Sequence, residues 1–145
     1  MSWPRPQPGL VIRYSYLWRS EAATGHEEGL KDRPCAVVIA AQDAASRTRA
    51  YVLPITHSAP ADDEEAIEIP AAVKARLGLD GGRSWVVVDE ANVFAWPGPD
   101  LRFLPGKGPE SSVYGFLPPG FFRVVRDRFL AADRSSKAAL VRRTE

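Results

Sequence analysis

Gly25-His-Glu-Glu-Gly-Leu-Lys-Asp-Arg33-Pro34 runs without a break into Cys35-Ala-Val-Val-Ile-Ala-Ala41, and the reading of this junction decides the fold. The first half is polar, bounded by glycines, and carries two Glu, one Lys and one Arg. The second is a continuous apolar run rich in β-branched residues, the pattern of a strand buried on both faces. Pro34 is tolerated at its head because the first strand residue need not donate to the ladder. A second run, Arg49–Ile55, returns after the polar turn Gln42–Thr48 and ends in Thr56-His57-Ser58. Pro54 near its end suggests an edge or a bulge. If the two strands are neighbours, Glu27 or Glu28, Arg33, Thr56 and His57 share one cleft.

Working outward, Met1-Ser-Trp-Pro-Arg-Pro-Gln-Pro8 is an extended, proline-stiffened lead-in, and Leu10–Trp18 mixes apolar, aromatic and β-branched residues as a first strand does. Residues 19–32 lack periodicity and read as a long mobile loop. Beyond the hairpin, the acidic run Asp62-Asp63-Glu64-Glu65 is a solvated loop leading to a short strand at Ala66–Ile69. Pro70–Leu77 has Pro at the first helical position, basic residues near its end and Gly78 as terminator, which predicts a short helix. Ser84–Val88 is a further strand, with the polar groups of Asp89-Glu90 at its exit. Residues 95–118 are expected to be a Pro/Gly-rich loop insertion, because Trp96–Pro109 holds four Pro and three Gly; Val113–Leu117 offers one more short strand within it. Phe121, Val124, Val125, Arg128 and Phe129 then recur at helical spacing in an amphipathic C-terminal helix. The tail, 133–145, reads as helix extension or disorder. Five or six short strands with two helices make a β-dominated α+β fold, a small, mostly antiparallel, barrel-like sheet with a short helix and a C-terminal amphipathic helix.

With 145 residues the chain is read as a single domain, 1–145, able to bury roughly two-thirds of its unfolded surface. No apolar run approaches the ~20 residues of a membrane span, and the first 20 residues hold no signal-peptide core, so the expected location is cytoplasmic. The lone Cys35 makes no internal disulfide and reads as a small buried hydrophobe. Net charge is +1, but residues 1–99 hold 10 basic and 13 acidic side chains, and residues 100–145 hold 9 and 5. With the acidic loop set aside the remainder is moderately basic, which permits a nucleic-acid partner without demanding one. His26, Cys35 and His57 match no zinc spacing, and no glycine-rich phosphate loop precedes a helix, so neither metal nor cofactor is expected.

A cleft holding a guanidinium, carboxylates, a hydroxyl and an imidazole suits cleavage of a phosphodiester. Pro8-Gly9-Leu-Val-Ile, Gly25-x-Glu27-x-Gly29-x-x-x-Arg33-Pro34 ahead of an apolar strand, and Leu53-Pro-Ile-Thr56 together resemble the MazF/PemK family of toxin endoribonucleases. Trp85-Val-Val-Val-Asp-Glu90 extends the likeness more weakly. The specific part covers about residues 8–58. The loop has one more residue between Gly29 and Arg33 than the family pattern, and residues 95–118 match no part of it. The resemblance implies an SH3-like barrel that forms a homodimer, cleaves single-stranded RNA without metal and is silenced by a protein antitoxin, through which alone it would meet DNA. It makes Arg33 and Thr56 the catalytic pair and Glu27 their acidic partner, with Glu28, Lys31, His57 and Ser58 expected to contact substrate.

The chemistry of these residues is compatible. RNA is cut by its own 2′-hydroxyl once a base removes that proton and a cation stabilises the phosphorane. A guanidinium is planar, permanently charged and suited to two phosphate oxygens. Thr56 would donate its hydroxyl to the same phosphate, and Glu27 would act as base. Protonation of the leaving 5′-oxygen falls to His57 or to water, since arginine is too weak an acid. Read alone, Arg33 is a surface cation pairing with Glu27, Glu28 or Asp32, His57 is a satisfied turn histidine, and Trp96 is a hydrophobic clamp rather than a base-stacking platform. Two rival functions share the fold: a toxin that poisons DNA gyrase by contact, and a silent RNA- or partner-binding relative whose 95–118 loop occludes the cleft. Gyrase-poisoning relatives rely on an apolar, Trp-containing C-terminus, whereas this chain reads Ala-Leu-Val-Arg-Arg-Thr-Glu145.

Overall fold

Residues 35–55 form the predicted hairpin. In the computed structural model, which describes residues 3–26, 29, 31–104 and 113–143, β2 (Arg33–Gln42) pairs antiparallel with β3 (Thr48–Thr56). Cys35 stands opposite Pro54 and Gln42 opposite Thr48. On the far side of β2 lies β1 (Leu10–Tyr14), and β1 in turn pairs with β7 (Leu101–Arg102) and β8 (Val113–Phe116). The other edge of β3 is shared. β6 (Glu90–Ala95) pairs with it as far as Val52, and β5 (Trp85–Val87) takes over from Ile55. Pro54 therefore marks no edge of the sheet; it falls in the interval between those two neighbours. β4 (Ala66–Glu68) closes the row against β5.

The apolar runs are continuous because both faces of the central strands are covered. Side chains alternate along a strand, and they alternate here between two cores. Ile12, Cys35, Val37 and Val52 enter one with Tyr14, Tyr16, Phe94 and Leu101. Val11, Ala36, Val38, Leu53 and Ile55 enter the other, closed by Leu77 of α2 (Ala71–Leu77) and by Val125 and Phe129 of α3 (Pro119–Arg134). Pro70 caps α2 at its start, and Gly78 ends it with φ 71°, a left-handed value that glycine takes without steric cost. On α3 the predicted face holds for Val125 and Phe129, but Val124 is 49% exposed. The thiol of Cys35 is fully buried, and burial pushes its pKa up, as for an inert core residue.

Several expectations are corrected. The first strand stops at Tyr14. Beyond it Ser15 N–H donates to the Asp100 carbonyl, and both backbone groups of Leu17 are held by the side chain of Asn92. A short helix, α1 (Arg19–Ala23), opens the segment expected to be loop, and Glu21 accepts from the Trp18 N–H at 3.0 Å. Residues 90–95 form a strand of their own. The tail is neither helix extension nor disorder over its described part after Arg134: β9 (Ala139–Arg142) lies parallel to β6, and Arg143 is 6% exposed. The Arg143 guanidinium meets Asp100 at 3.1 Å and donates to the Ser15 carbonyl, Asn92 Oδ1 and Tyr14 OH at 2.6, 3.0 and 3.4 Å. Within 95–118, β7 and β8 are strands on the edge of β1; residues 105–112 lie outside the described residues. Trp96 is the clamp, stacked on Phe94 with its indole N–H on the Pro4 carbonyl. The result is a β-dominated α+β fold on a mostly antiparallel sheet, with nine strands and three helices among the described residues. No described helix is long and apolar enough to cross a membrane.

Candidate active site

Continued two residues past its last pair, the β2–β3 register sets Arg33 opposite Thr56. Both line a cavity of about 470 Å³ with Trp18, Lys31, His57, Ser58, Glu65, Asp89 and Glu90. A second groove, of about 430 Å³, shares Lys31, Arg33, Thr56 and His57 and adds Arg13, Asp32, Asp80 and Tyr114. Lys31, Arg33, Thr56 and His57 line both cavities, and Ser58 joins them in the first. Glu27 and Glu28 lie outside the described residues.

Arg33 has an unusual environment. Its guanidinium carbon lies 4.9 Å over the Trp18 ring, a cation–π contact. Nε is buried without a hydrogen-bond partner, whereas the terminal nitrogens are neither buried nor bonded among the described residues. Asp32 is not its partner; that carboxylate sits between Arg13 and Arg102, at 3.7 and 3.5 Å. Arg33 forms no salt bridge among the described residues. A half-buried cation without a carboxylate is costly unless a bound anion completes it.

Thr56 is oriented by its neighbour. Ser58 N–H donates to Thr56 Oγ1 at 3.2 Å, which occupies a lone pair and leaves the hydroxyl proton for another acceptor. His57 is placed differently from its expected role. Nδ1 faces the Arg83 carbonyl at 2.9 Å and Ser84 Oγ at 3.3 Å, and Nε2 faces Asp80 Oδ2 at 2.8 Å. With both ring nitrogens engaged, His57 holds the 80–84 turn and has none to offer a leaving oxygen. Lys74, only 5% exposed, ties the same turn through Asp80 Oδ1 and the Gly82 carbonyl. The Lys74 hydrogen bond, with help from His57, holds the Asp80 carboxyl below the usual carboxylate range.

Two further carboxylates lining the first cavity, Asp89 and Glu90, were placed by sequence only at a strand exit. Burial pushes the pKa of Glu90 up despite hydrogen bonds from Tyr16 and the Arg19 N–H, and burial does the same for Asp89. The only sequence signal was their position directly after the apolar run 85–88. Trp18, which carries Arg33, was read as the end of a strand; nothing in its spacing pointed to the cavity. Among the described residues no three His, Cys, Asp or Glu side chains come together as a metal site. Residues 95–104 do not line the first cavity, and Tyr114 is the one described member of the predicted insertion in the second.

The chain matches no protein-family model and no curated protein.

Proposed function

We propose that the protein is a toxin-type endoribonuclease that cleaves single-stranded RNA without metal, the 2′-hydroxyl attacking the adjacent phosphorus to leave a 2′,3′-cyclic phosphate. The observation that carries this reading is Arg33, a cation stacked on Trp18, without a salt bridge among the described residues, facing Thr56 in a cavity wide enough for a nucleotide. The guanidinium takes two non-bridging phosphate oxygens, and the Thr56 hydroxyl donates to one of them. Both bonds strengthen as charge accumulates on the phosphorane, which is where catalytic stabilisation counts. A carboxylate must accept the 2′-hydroxyl proton. The resemblance to MazF/PemK toxins gives that role to Glu27, and the described cavity wall holds another candidate, Glu90.

The same resemblance supports reading the sheet as an SH3-like barrel and the protein as a cytoplasmic homodimer inhibited by a protein antitoxin, with DNA engaged only through that antitoxin. Arg33→Ala and Thr56→Ala are each expected to lower the cleavage rate by roughly 10²–10³-fold, the usual effect of losing one transition-state donor, with the fold checked by thermal unfolding. Full activity in either variant overturns the assignment. Toxicity in cells that survives Arg33→Ala would transfer the function to binding.

A further inference from the structure

We propose that Glu90 is the catalytic base of this site, with Tyr16 as its positioning residue. The inference rests on reading the cavity as a phosphodiester-cleaving site and names the group that starts the reaction.

Glu90 opens β6 and lines the same cavity as Arg33 and Thr56. Its two oxygens are treated differently. Oε2 accepts from the Tyr16 hydroxyl and from the Arg19 backbone N–H, each at 3.0 Å. Oε1 makes no hydrogen bond among the described residues and is not buried. One oxygen therefore fixes the carboxylate, and the other is left open to accept a proton. Tyr16 is itself held rigidly: it is 1% exposed, and its ring packs edge-on against Trp18 at 5.2 Å, the ring that carries Arg33. A single packed chain, Glu90–Tyr16–Trp18–Arg33, thus sets the base and the phosphate-binding cation on one frame. A carboxylate with no cation bonded to it among the described residues, in the same cavity as an arginine with no carboxylate among them, suits a substrate that brings both a proton to give and an anion to bind.

The charged groups around Glu90 come from every wall. Asp89 lies just ahead of β6, Arg19 opens α1, Lys31 lies just ahead of β2 and Arg33 opens it, and Glu65 and His57 come from the loops flanking β4 and β3. Burial is the largest influence on the carboxyl and raises its affinity for a proton toward the working range of a general base. In the step proposed, the O2′ proton passes to Glu90 Oε1 as the O2′–P bond forms. The P–O5′ bond breaks with its electron pair remaining on O5′, which takes a proton from water. Glu90 later returns its proton to solvent, so the step consumes no co-reactant. His57, with both ring nitrogens engaged, does not compete for the role.

The test is the pH–rate profile for cleavage of a single-stranded RNA by the full chain in excess chelator, run with Glu90→Gln, Tyr16→Phe, Glu27→Gln and Arg33→Ala. Glu90→Gln keeps an acceptor for Tyr16 and Arg19; it is expected to lower kcat by ~10²–10⁴-fold, to leave KM unchanged and to abolish the acid limb. Tyr16→Phe removes a hydrogen bond to the charged carboxylate and shifts that limb to higher pH. An acid limb unchanged in Glu90→Gln, or lost instead in Glu27→Gln, overturns the role of Glu90; silence of Arg33→Ala in the same assay would leave the site reading standing. Absence of cleavage by the unaltered protein overturns both.

Discussion

Arg143→Met should unlock the end of the described chain. The Arg143 side chain is 1% exposed and that of Asp100 is 9% exposed, with Nη2 and Oδ2 at 3.1 Å. The same guanidinium satisfies the Ser15 carbonyl just where β1 ends and Asn92 Oδ1 inside β6, and it lies 5.5 Å from the Tyr14 ring centre. Methionine roughly fills the volume but leaves the buried Asp100 carboxylate without the guanidinium that faces it. Removing one member of a buried ion pair costs about 3–5 kcal/mol, against a total stability on the order of 5–15 kcal/mol for a domain. At ~2–4 °C per kcal/mol for a chain of this size, the melting temperature should fall by about 6–20 °C. Urea unfolding of the purified protein reads the change directly. Adding Asp100→Asn to Arg143→Met should restore part of the loss, because a neutral amide needs no guanidinium facing it. A single variant within about 1 kcal/mol of the unaltered protein would refute the claim that this network locks β9 to the sheet.

Two further outcomes follow from the site. A Cβ on Gly29 would lie 2.8 Å from the Tyr16 carbonyl carbon and nearer still to its oxygen, so Gly29→Ala must displace the loop that leads to Lys31 and Arg33; cleavage should drop by on the order of 10²-fold for an ångström-scale misplacement, and an unchanged rate would contradict the placement. Burial holds the Glu90 carboxyl above its ordinary range, so its charge opposes folding fully above the raised value and not at all below the unfolded value near pH ~4.3. Glu90→Gln should therefore be more stable than the unaltered protein at neutral pH, with the advantage fading as pH falls to about 4; a difference independent of pH in thermal unfolding would count against it.

The hairpin was legible because its signals are local. Arg33 stands one residue farther from the turn at 43–47 than Thr56 does, and the bulge between Val37 and Ile39 takes up that residue and sets them across from each other. Pro70 and Gly78 likewise bounded α2 through backbone restrictions that belong to the residues themselves. The elements missed are those fixed by distant partners. Residues 90–95 hid a strand because the buried polar Asn92 interrupts the apolar pattern, and its amide is satisfied by Leu17 and Arg143, both far away in sequence. Ala139–Arg142 is a strand only because β6 lies beside it and Arg143 finds Asp100 and Ser15; alone, it reads as a charged tail. Five residues of α1 are too few for periodicity to register. Glu90 was visible as an acid at the end of an apolar run, but its engagement by Tyr16 and Arg19 is a product of the packing. His57 shows the converse: an attractive residue type beside Thr56 whose ring proves to be occupied by the 80–84 turn.

The most direct test of the central claim is to incubate the purified protein with single-stranded RNA in excess chelator, beside Arg33→Ala, and to determine the new ends. Fragments ending in a 2′,3′-cyclic phosphate with 5′-hydroxyl partners are expected from the unaltered protein and absent with the variant. Intact RNA across varied sequences, or the same fragments from Arg33→Ala, would contradict the claim.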